Sequence, residues 1–191
     1  PGSASDRLQL AIGVGALLFA LASPLHQEWV VQERDRVWWR MKERPPLKGL
    51  QEAAAAVRRL APEGGELLTQ DPYLAVEAGM TLPRGLELGP FSYFPEMPDA
   101  RADRLRVVNR SRLRAILSAS PARVAAFSGY GLAIRAPEVE ELPPDEQAAL
   151  WTLVRERFEP AGVIPRFGQA GTTLTLWIAK PPPPAGGPPA P

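Results

Sequence analysis

The sequence contains no cysteine and only one histidine, His26, among its 191 residues. The lack of cysteine excludes disulfides, thiolate nucleophiles and cysteine metal sites, and a single histidine cannot form a histidine cluster for zinc or iron. The 22 Lys and Arg residues nearly balance the 21 Asp and Glu residues, so the chain has no overall field that would attract nucleic acid. We therefore expect neither a metal nor another cofactor, and we find no catalytic constellation.

What the sequence does contain is one long apolar run, residues 8–25, in which only Gln9 and Ser23 are polar. As a helix this run would be roughly 27 Å long, which is enough to cross the core of a bilayer. We interpret it as a transmembrane anchor, with residues 1–25 forming the anchor and its flank. A signal peptide with Arg7 as its positive flank and a buried core helix are the alternatives. Because the first residue is proline, we expect a processed product or a fragment.

Residues 26–46 change character and alternate charged residues with apolar ones at helical spacing. Tryptophan and arginine side chains suit the headgroup region of a membrane, so we predict an interfacial amphipathic helix. A soluble helix packed on the following domain is the alternative. Five Lys and Arg residues follow the apolar run, which would favour a cytoplasmic domain, but four acidic residues are interleaved with them and weaken this indication. The predicted lipid or partner contacts in this segment are Trp29, Trp38, Trp39 and Arg40.

Residues 47–180 alternate predicted helices with predicted strands, which is typical of an α/β domain. We predict a small three-layer domain with a mostly parallel sheet and a C-terminal β-hairpin. Residues 181–191 are rich in proline and cannot pack a core. The predicted elements are helices over 47–65, 72–79, 102–120 and 145–158, strands within 65–72 and 122–131, and a hairpin over 161–180.

Residues 85–98, GLELGPFSYFPEMP, combine two glycines, three prolines and three aromatic rings. The segment is too irregular for a helix or a central strand, because glycine and proline both break regular structure. The rings of Phe91, Tyr93 and Phe94 either fold back to cap the core or project as anchors for a partner. Aromatic side chains are enriched at the energetic centres of interfaces, which supports the second interpretation.

Six arginines lie between residues 101 and 114. Arg106, Arg110 and Arg114 are four residues apart, so they would share one face of the predicted helix over 102–120. This face could contact phospholipid headgroups or a lipid-linked phosphate. It could equally be a solvated face opposite the apolar side of the helix.

Three further polar residues, Asp71, Ser128 and Asn109, lie in patterns that can indicate a site. Asp71 and Ser128 follow the first two predicted strands, where α/β proteins tend to bind ligands. The Asp-Pro pair also explains Asp71 as the N-cap of a helix that begins at Pro72, and the glycines around Ser128 indicate a structural turn. Asn109 lies in an N-glycosylation pattern, but inside the predicted helix, so we interpret the match as coincidence.

Together, residues 67–95, 103–113 and 124–134 resemble the C-terminal part of bacterial multi-spanning glycosyltransferases that use polyprenyl-phosphate sugars and are similar to the protein-mannosyltransferase-like family. The resemblance implies an α/β domain that follows the last membrane helix on the extracytoplasmic side. The catalytic carboxylate of that family lies in a loop near the start of the full protein. No residue here corresponds to that loop, so no catalytic residue is assigned.

The sequence thus favours a single-pass, membrane-anchored domain without catalytic activity that docks on integral membrane proteins of a larger complex. The expected location is the bacterial inner membrane, with the domain on the periplasmic side. One alternative is the C-terminal domain of such a glycosyltransferase, where it would shape acceptor access. Another is an α/β domain that binds a small ligand near Asp71 and Ser128.

Overall fold

A computed structural model describes residues 4–23, 44–129, 132, 142–168 and 171–181. The chain divides into two compact units, Pro1–Pro45 and Pro46–Pro191. The predicted interfacial segment lies almost entirely outside the described residues, and so does nearly all of the proline-rich tail. The residues of the predicted contact set that fall outside them are Trp29, Trp38, Trp39 and Arg40.

The first unit contains helix α1, Ala4–Ala22. Its two charged residues, Asp6 and Arg7, lie near its start, and apolar residues follow on every side of the helix. None of its residues is buried. The predicted apolar helix is therefore present, and it is long and apolar enough to cross a membrane.

The second unit begins with helix α2, Pro46–Leu60, which buries small residues at every fourth position, such as Gly49, Ala53 and Val57. Strand β1, Leu67–Thr69, follows and is buried throughout. Helix α3, Pro72–Ala78, starts with proline and ends at Gly79, whose φ of 70° lies in the left-handed region. Both ends of α3 thus carry the residue types that commonly begin and end helices.

The prediction of one long helix over residues 102–120 is wrong. The chain forms two helices instead, α4, Asp99–Leu105, and α5, Arg110–Ala119. Arg106 ends α4 with φ 54° and ψ 47°, while Asn109 caps α5. Between them Val108 forms a β-bridge with Tyr93, so the backbone here pairs with the aromatic loop rather than continuing a helix.

The remaining strands are β2, Val124–Phe127, β3, Phe158–Phe167, and β4, Thr172–Ala179; helix α6, Pro144–Arg157, leads directly into β3. In the described residues the strands form a four-stranded sheet in the order β1-β2-β4-β3.

The predicted α/β class and C-terminal hairpin are confirmed, but the sheet is mixed. Strands β1 and β2 are parallel, whereas β2–β4 and β3–β4 are antiparallel. The hairpin folds back and places β4 beside β2, so β1 and β2 are the only parallel neighbours among the described strands of this sheet.

Two apolar clusters lie on opposite faces of the sheet. Neighbouring strand residues alternate between them: Leu67 and Val124 belong to one cluster, Leu68 and Ala125 to the other. Helices α2 and α3 cover the first face, and α5 and α6 cover the second. The helical residues buried here include Ala53, Val57 and Leu74 on the first face and Leu113, Leu117, Leu150 and Val154 on the second.

Candidate functional site

The aromatic loop, residues 85–98, closes over the cluster that α5 and α6 cover. Tyr93 belongs to that cluster and is only 1% exposed. The backbone of the loop is fastened to the segment between α4 and α5: the amide of Val108 donates to the carbonyl of Ser92 over 2.9 Å, and the amide of Phe94 donates to the carbonyl of Val108 over 2.8 Å. These bonds satisfy backbone groups that a buried loop would otherwise leave without partners.

A network of side-chain hydrogen bonds also joins this loop to helices α5 and α6. The hydroxyl of Tyr93 donates to Oε1 of Glu146 over 3.0 Å. Arg110 donates to both oxygens of that carboxylate, over 2.7 and 3.1 Å, and also to Oε1 of Glu96 over 2.5 Å. Bidentate arginine–carboxylate pairs are among the strong polar contacts of proteins. The network therefore links the loop to α5 and to the start of α6.

The hydrogen bonds of this network favour the charged forms of Arg110 and Glu146. The hydrogen bonds that Arg110 donates to Glu146 hold the pKa of that carboxyl below its ordinary value, and the bonds that Arg110 donates to Glu146 and Glu96 raise the pKa of the guanidinium. Burial raises the pKa of Tyr93, and its bond to Glu146 adds to this. Arg110, Glu146 and Tyr93 therefore keep their ordinary protonation states near neutral pH. The arrangement is suited to holding the loop in place rather than to transferring protons.

The three rings of the loop have different environments. Tyr93 is inside the domain, Phe94 is half-buried, and Phe91 is 62% exposed. The loop therefore caps the core through Tyr93, and Phe91 is the ring left free to contact a partner.

Exposed apolar side chains occur both in this loop and on helix α3, which packs against it at Gly89. In the loop, Phe91 is exposed on the 3₁₀ helix Gly89–Ser92, and Leu88 is exposed just before this helix. On α3, Tyr73 and Val76 are 78% and 77% exposed. The two elements meet at Gly89, where an added Cβ would lie 2.9 Å from Cδ of Pro72. Tyr73, Val76, Leu88 and Phe91 together form what we call the apolar patch.

The predicted arginine face is divided by the break between α4 and α5. Arg106 is exposed at the end of α4, so it does not share a helix with Arg110 and Arg114. Arg110 is engaged by Glu96 and Glu146, whereas Arg114 is exposed on α5. Contact of these arginines with lipid or a partner remains a prediction.

Asp71 occupies the N-cap position of α3, but its side chain makes no capping hydrogen bond. It is hydrogen-bonded to the side chain of Ser128 instead, across the ends of β1 and β2. Burial raises the pKa of Asp71, and the bond to Ser128 opposes that rise. The adjacent Gln70 is 4% exposed, and its Nε2 atom has no hydrogen-bond partner among the described residues. Asp71 is therefore the N-cap residue of α3, as predicted, but its side chain does not make the hydrogen bond that usually stabilises a helix start.

Asn109 is the N-cap of helix α5, a role that the sequence analysis did not predict. Its side chain accepts a hydrogen bond from the amide of Arg112 over 3.1 Å and donates to the carbonyl of Met97 and to Oδ1 of Asp99. Asn109 is also 5% exposed, so its amide nitrogen is buried and already bonded. An asparagine before a polar-apolar helical pattern is a signal that could have identified this N-cap.

Within the part of the chain that the structure describes, no group of three or more His, Asp or Glu side chains could hold a metal ion. The arrangement around the loop can bind and orient, through exposed apolar and cationic side chains, but it presents no nucleophile next to a base. Comparison with models of known protein families, with curated proteins and with solved structures found no match.

Proposed function

We propose that this protein is a membrane-anchored α/β domain that docks on integral membrane proteins of a larger complex and has no catalytic activity of its own. The observation that carries the proposal is helix α1, because its large apolar residues are exposed, with Leu10 at 69% and Phe19 at 81%. A helix that is apolar on every side requires lipid or other apolar helices around it.

The apolar patch is the proposed docking surface on the domain. Phe91 and Tyr73 are aromatic side chains of the kind enriched at the energetic centres of interfaces, and the patch is built on two elements fixed to the core. An anchor confines the domain to the membrane, which raises the effective concentration of partners there. The proposed partner is therefore another integral membrane protein with an apolar surface next to the bilayer.

The proposed location is the bacterial inner membrane, with the domain on the periplasmic side. The orientation is supported by the resemblance to glycosyltransferases whose corresponding domain is extracytoplasmic. The interleaved acidic residues of segment 26–46 reduce the opposing influence of its basic residues.

Two other functions each have a supporting observation. A C-terminal glycosyltransferase domain of three-layer architecture is supported by the segment that carries the resemblance, since Gly85 and Gly89 adopt positive φ and Tyr93 is buried, so this segment is integral to the domain. A small-ligand site is supported by the bond between Asp71 and Ser128 and by the unpartnered Nε2 of Gln70.

The deciding experiment is to extract the native protein gently from membranes and to determine both its polypeptide mass and the size of its complex. A polypeptide near 20.8 kDa that migrates in a larger assembly supports the docking function. A single polypeptide several times larger, with further membrane spans, favours the glycosyltransferase domain. A protein that is monomeric in mild detergent, or that alkaline carbonate removes from membranes, contradicts the proposal.

Variants of the patch test the docking surface itself. Replacing Phe91 and Leu88 by serine should release the chain from its assembly without unfolding it, because both side chains are exposed. Val163→Ser is the matched control, since Val163 is 61% exposed on the edge strand β3 and outside the patch. If the control and the patch variant leave the assembly equally intact, the patch is not the docking surface.

A further inference from the structure

A cleft of about 200 Å³ opens between the start of the aromatic loop and helices α4 and α5. Its inner wall is apolar and includes the buried residues Val107 and Val108. Its charged lining consists of three cations and one anion: Arg84, Arg106, Arg112 and Asp103. These arginines come from three separate segments of the chain, so only the folded domain brings them together.

The cleft carries an excess of positive charge. Arg112 forms an ion pair with Asp103, and the hydrogen bond between them lowers the pKa of the Asp103 carboxyl, which therefore stays ionised. In the described part of the chain, the side chains of Arg84 and Arg106 form no hydrogen bond or ion pair, and both are exposed. The charge of Arg84 also acts on Asp103, so this one carboxylate is shared by Arg84 and Arg112. Three guanidinium groups and one carboxylate thus line a single cleft, which leaves an excess of two positive charges.

Arg106 occupies a backbone position that glycine usually takes. With φ 54° and ψ 47° it ends α4 in the left-handed region, and its amide donates to the carbonyls of Ala102 and Asp103. Glycine is the residue usually found at this position of a helix end, because it has no Cβ to strain the backbone. Strained residues of this kind concentrate where a side chain has another role.

We propose that this cleft binds a phosphate monoester, with Arg84 and Arg106 donating to the phosphate oxygens and Arg112 oriented by Asp103. Guanidinium groups match phosphate oxygens through paired, charge-assisted hydrogen bonds, and two uncompensated positive charges match a phosphate dianion. The cleft is smaller than typical pockets for drug-sized ligands, so it accommodates the phosphate and a small apolar extension. The phosphate can belong to a soluble ester or to a membrane lipid headgroup.

The site is tested by calorimetric titration of the full chain, held in phosphatidylcholine nanodiscs, with phenyl phosphate. We expect saturable binding that weakens as salt is raised, because the contacts are ionic. Arg106→Gly should weaken binding by roughly tenfold, the effect of losing one charge-assisted contact. The melting temperature of Arg106→Gly should equal or exceed that of the wild type, since glycine suits this backbone conformation.

Arg84→Ala should weaken binding similarly, and Arg104→Ala, an exposed residue of α4 outside the cleft, should leave it unchanged. Absence of saturable binding by the wild type, or wild-type affinity in Arg106→Gly and Arg84→Ala, overturns the proposal. Nanodiscs that contain phosphatidic acid distinguish the two sources. If they compete with phenyl phosphate, the phosphate comes from a lipid headgroup; if they do not, the ligand is a soluble ester. Neither result depends on the proposed docking partner.

Discussion

The hydroxyl group of Tyr93 donates a hydrogen bond to Glu146 over 3.0 Å, although the two residues are 53 positions apart in the sequence. The same carboxylate receives two hydrogen bonds from Arg110. One half-buried carboxylate thereby fixes the aromatic loop to α5 and to α6. This explains how a segment rich in glycine and proline holds one defined conformation, with Phe91 presented at the surface.

The contrast between Tyr93 and Phe91 gives the first prediction. Tyr93→Phe removes one hydrogen bond and should lower the free energy of unfolding by about 0.5–1.5 kcal/mol. Tyr93→Ala also leaves a cavity and should cost about 3–5 kcal/mol. Phe91→Ala, at an exposed position, should change it by less than about 0.5 kcal/mol. Urea unfolding measures all three, and a larger effect at Phe91 than at Tyr93 would contradict the structure.

Glu146 should make stability depend on pH in the acidic range. Its pKa in the folded domain is lower than the ordinary value of 4.5, so its contribution is present above that value and is lost as pH falls through the folded pKa. Glu146→Gln should therefore lower the free energy of unfolding by about 1–3 kcal/mol at pH 7. The variant should differ little from the wild type at a pH low enough to protonate Glu146 in both the folded and the unfolded state. Glu156→Gln, on the exposed side of α6, is the control and should have no comparable effect. An equal loss at all pH values would refute the role of the charge.

Asp71 should behave in the opposite sense. Burial raises its pKa above the ordinary value of 3.8, so the folded state holds the proton more readily and stability falls as pH rises through the folded pKa. Asp71→Asn should therefore stabilise the domain at pH 7, and the gain should vanish in acid. Ser128→Ala removes the hydrogen bond that favours the charged carboxylate, so it should destabilise more at pH 7 than in acid. Thermal melts across this pH range provide the measurement, and a loss of stability in Asp71→Asn at pH 7 would be evidence against this account.

Substitutions at three glycines should distinguish the energetic cost of backbone strain from the cost of a steric clash. Gly162→Ala places a Cβ in open space at an ordinary φ and should be nearly neutral. Gly79→Ala, at φ 70° in open space, should cost about 1 kcal/mol. Gly89→Ala adds a Cβ 2.7 Å from the carbonyl oxygen of Gln70 to a φ of 63°, and should cost about 2–4 kcal/mol. Denaturant midpoints should follow this order, and a neutral Gly89→Ala would mean that the loop does not pack on Gln70.

The features that could be predicted from the sequence are those decided by neighbouring residues. The composition of residues 8–25 is sufficient for an apolar helix. Pro72 and Gly79 bound α3 through their own backbone preferences, and the alternating apolar residues of the C-terminal hairpin follow from the period of a strand. In each case the physical cause acts within a few residues, so no knowledge of the rest of the fold is needed.

The sequence alone therefore determined the apolar helix, the α/β class and the closing hairpin, whereas the tertiary structure decided the surfaces on which the proposed functions depend. Contact between Val108 and the aromatic loop divides the predicted long helix, and burial separates Tyr93 from Phe91 within one aromatic cluster. The cleft that joins Arg84 to Arg106 arises in the same way. These outcomes depend on contacts between segments far apart in the chain, whose free energy exceeds the local preferences that a sequence displays.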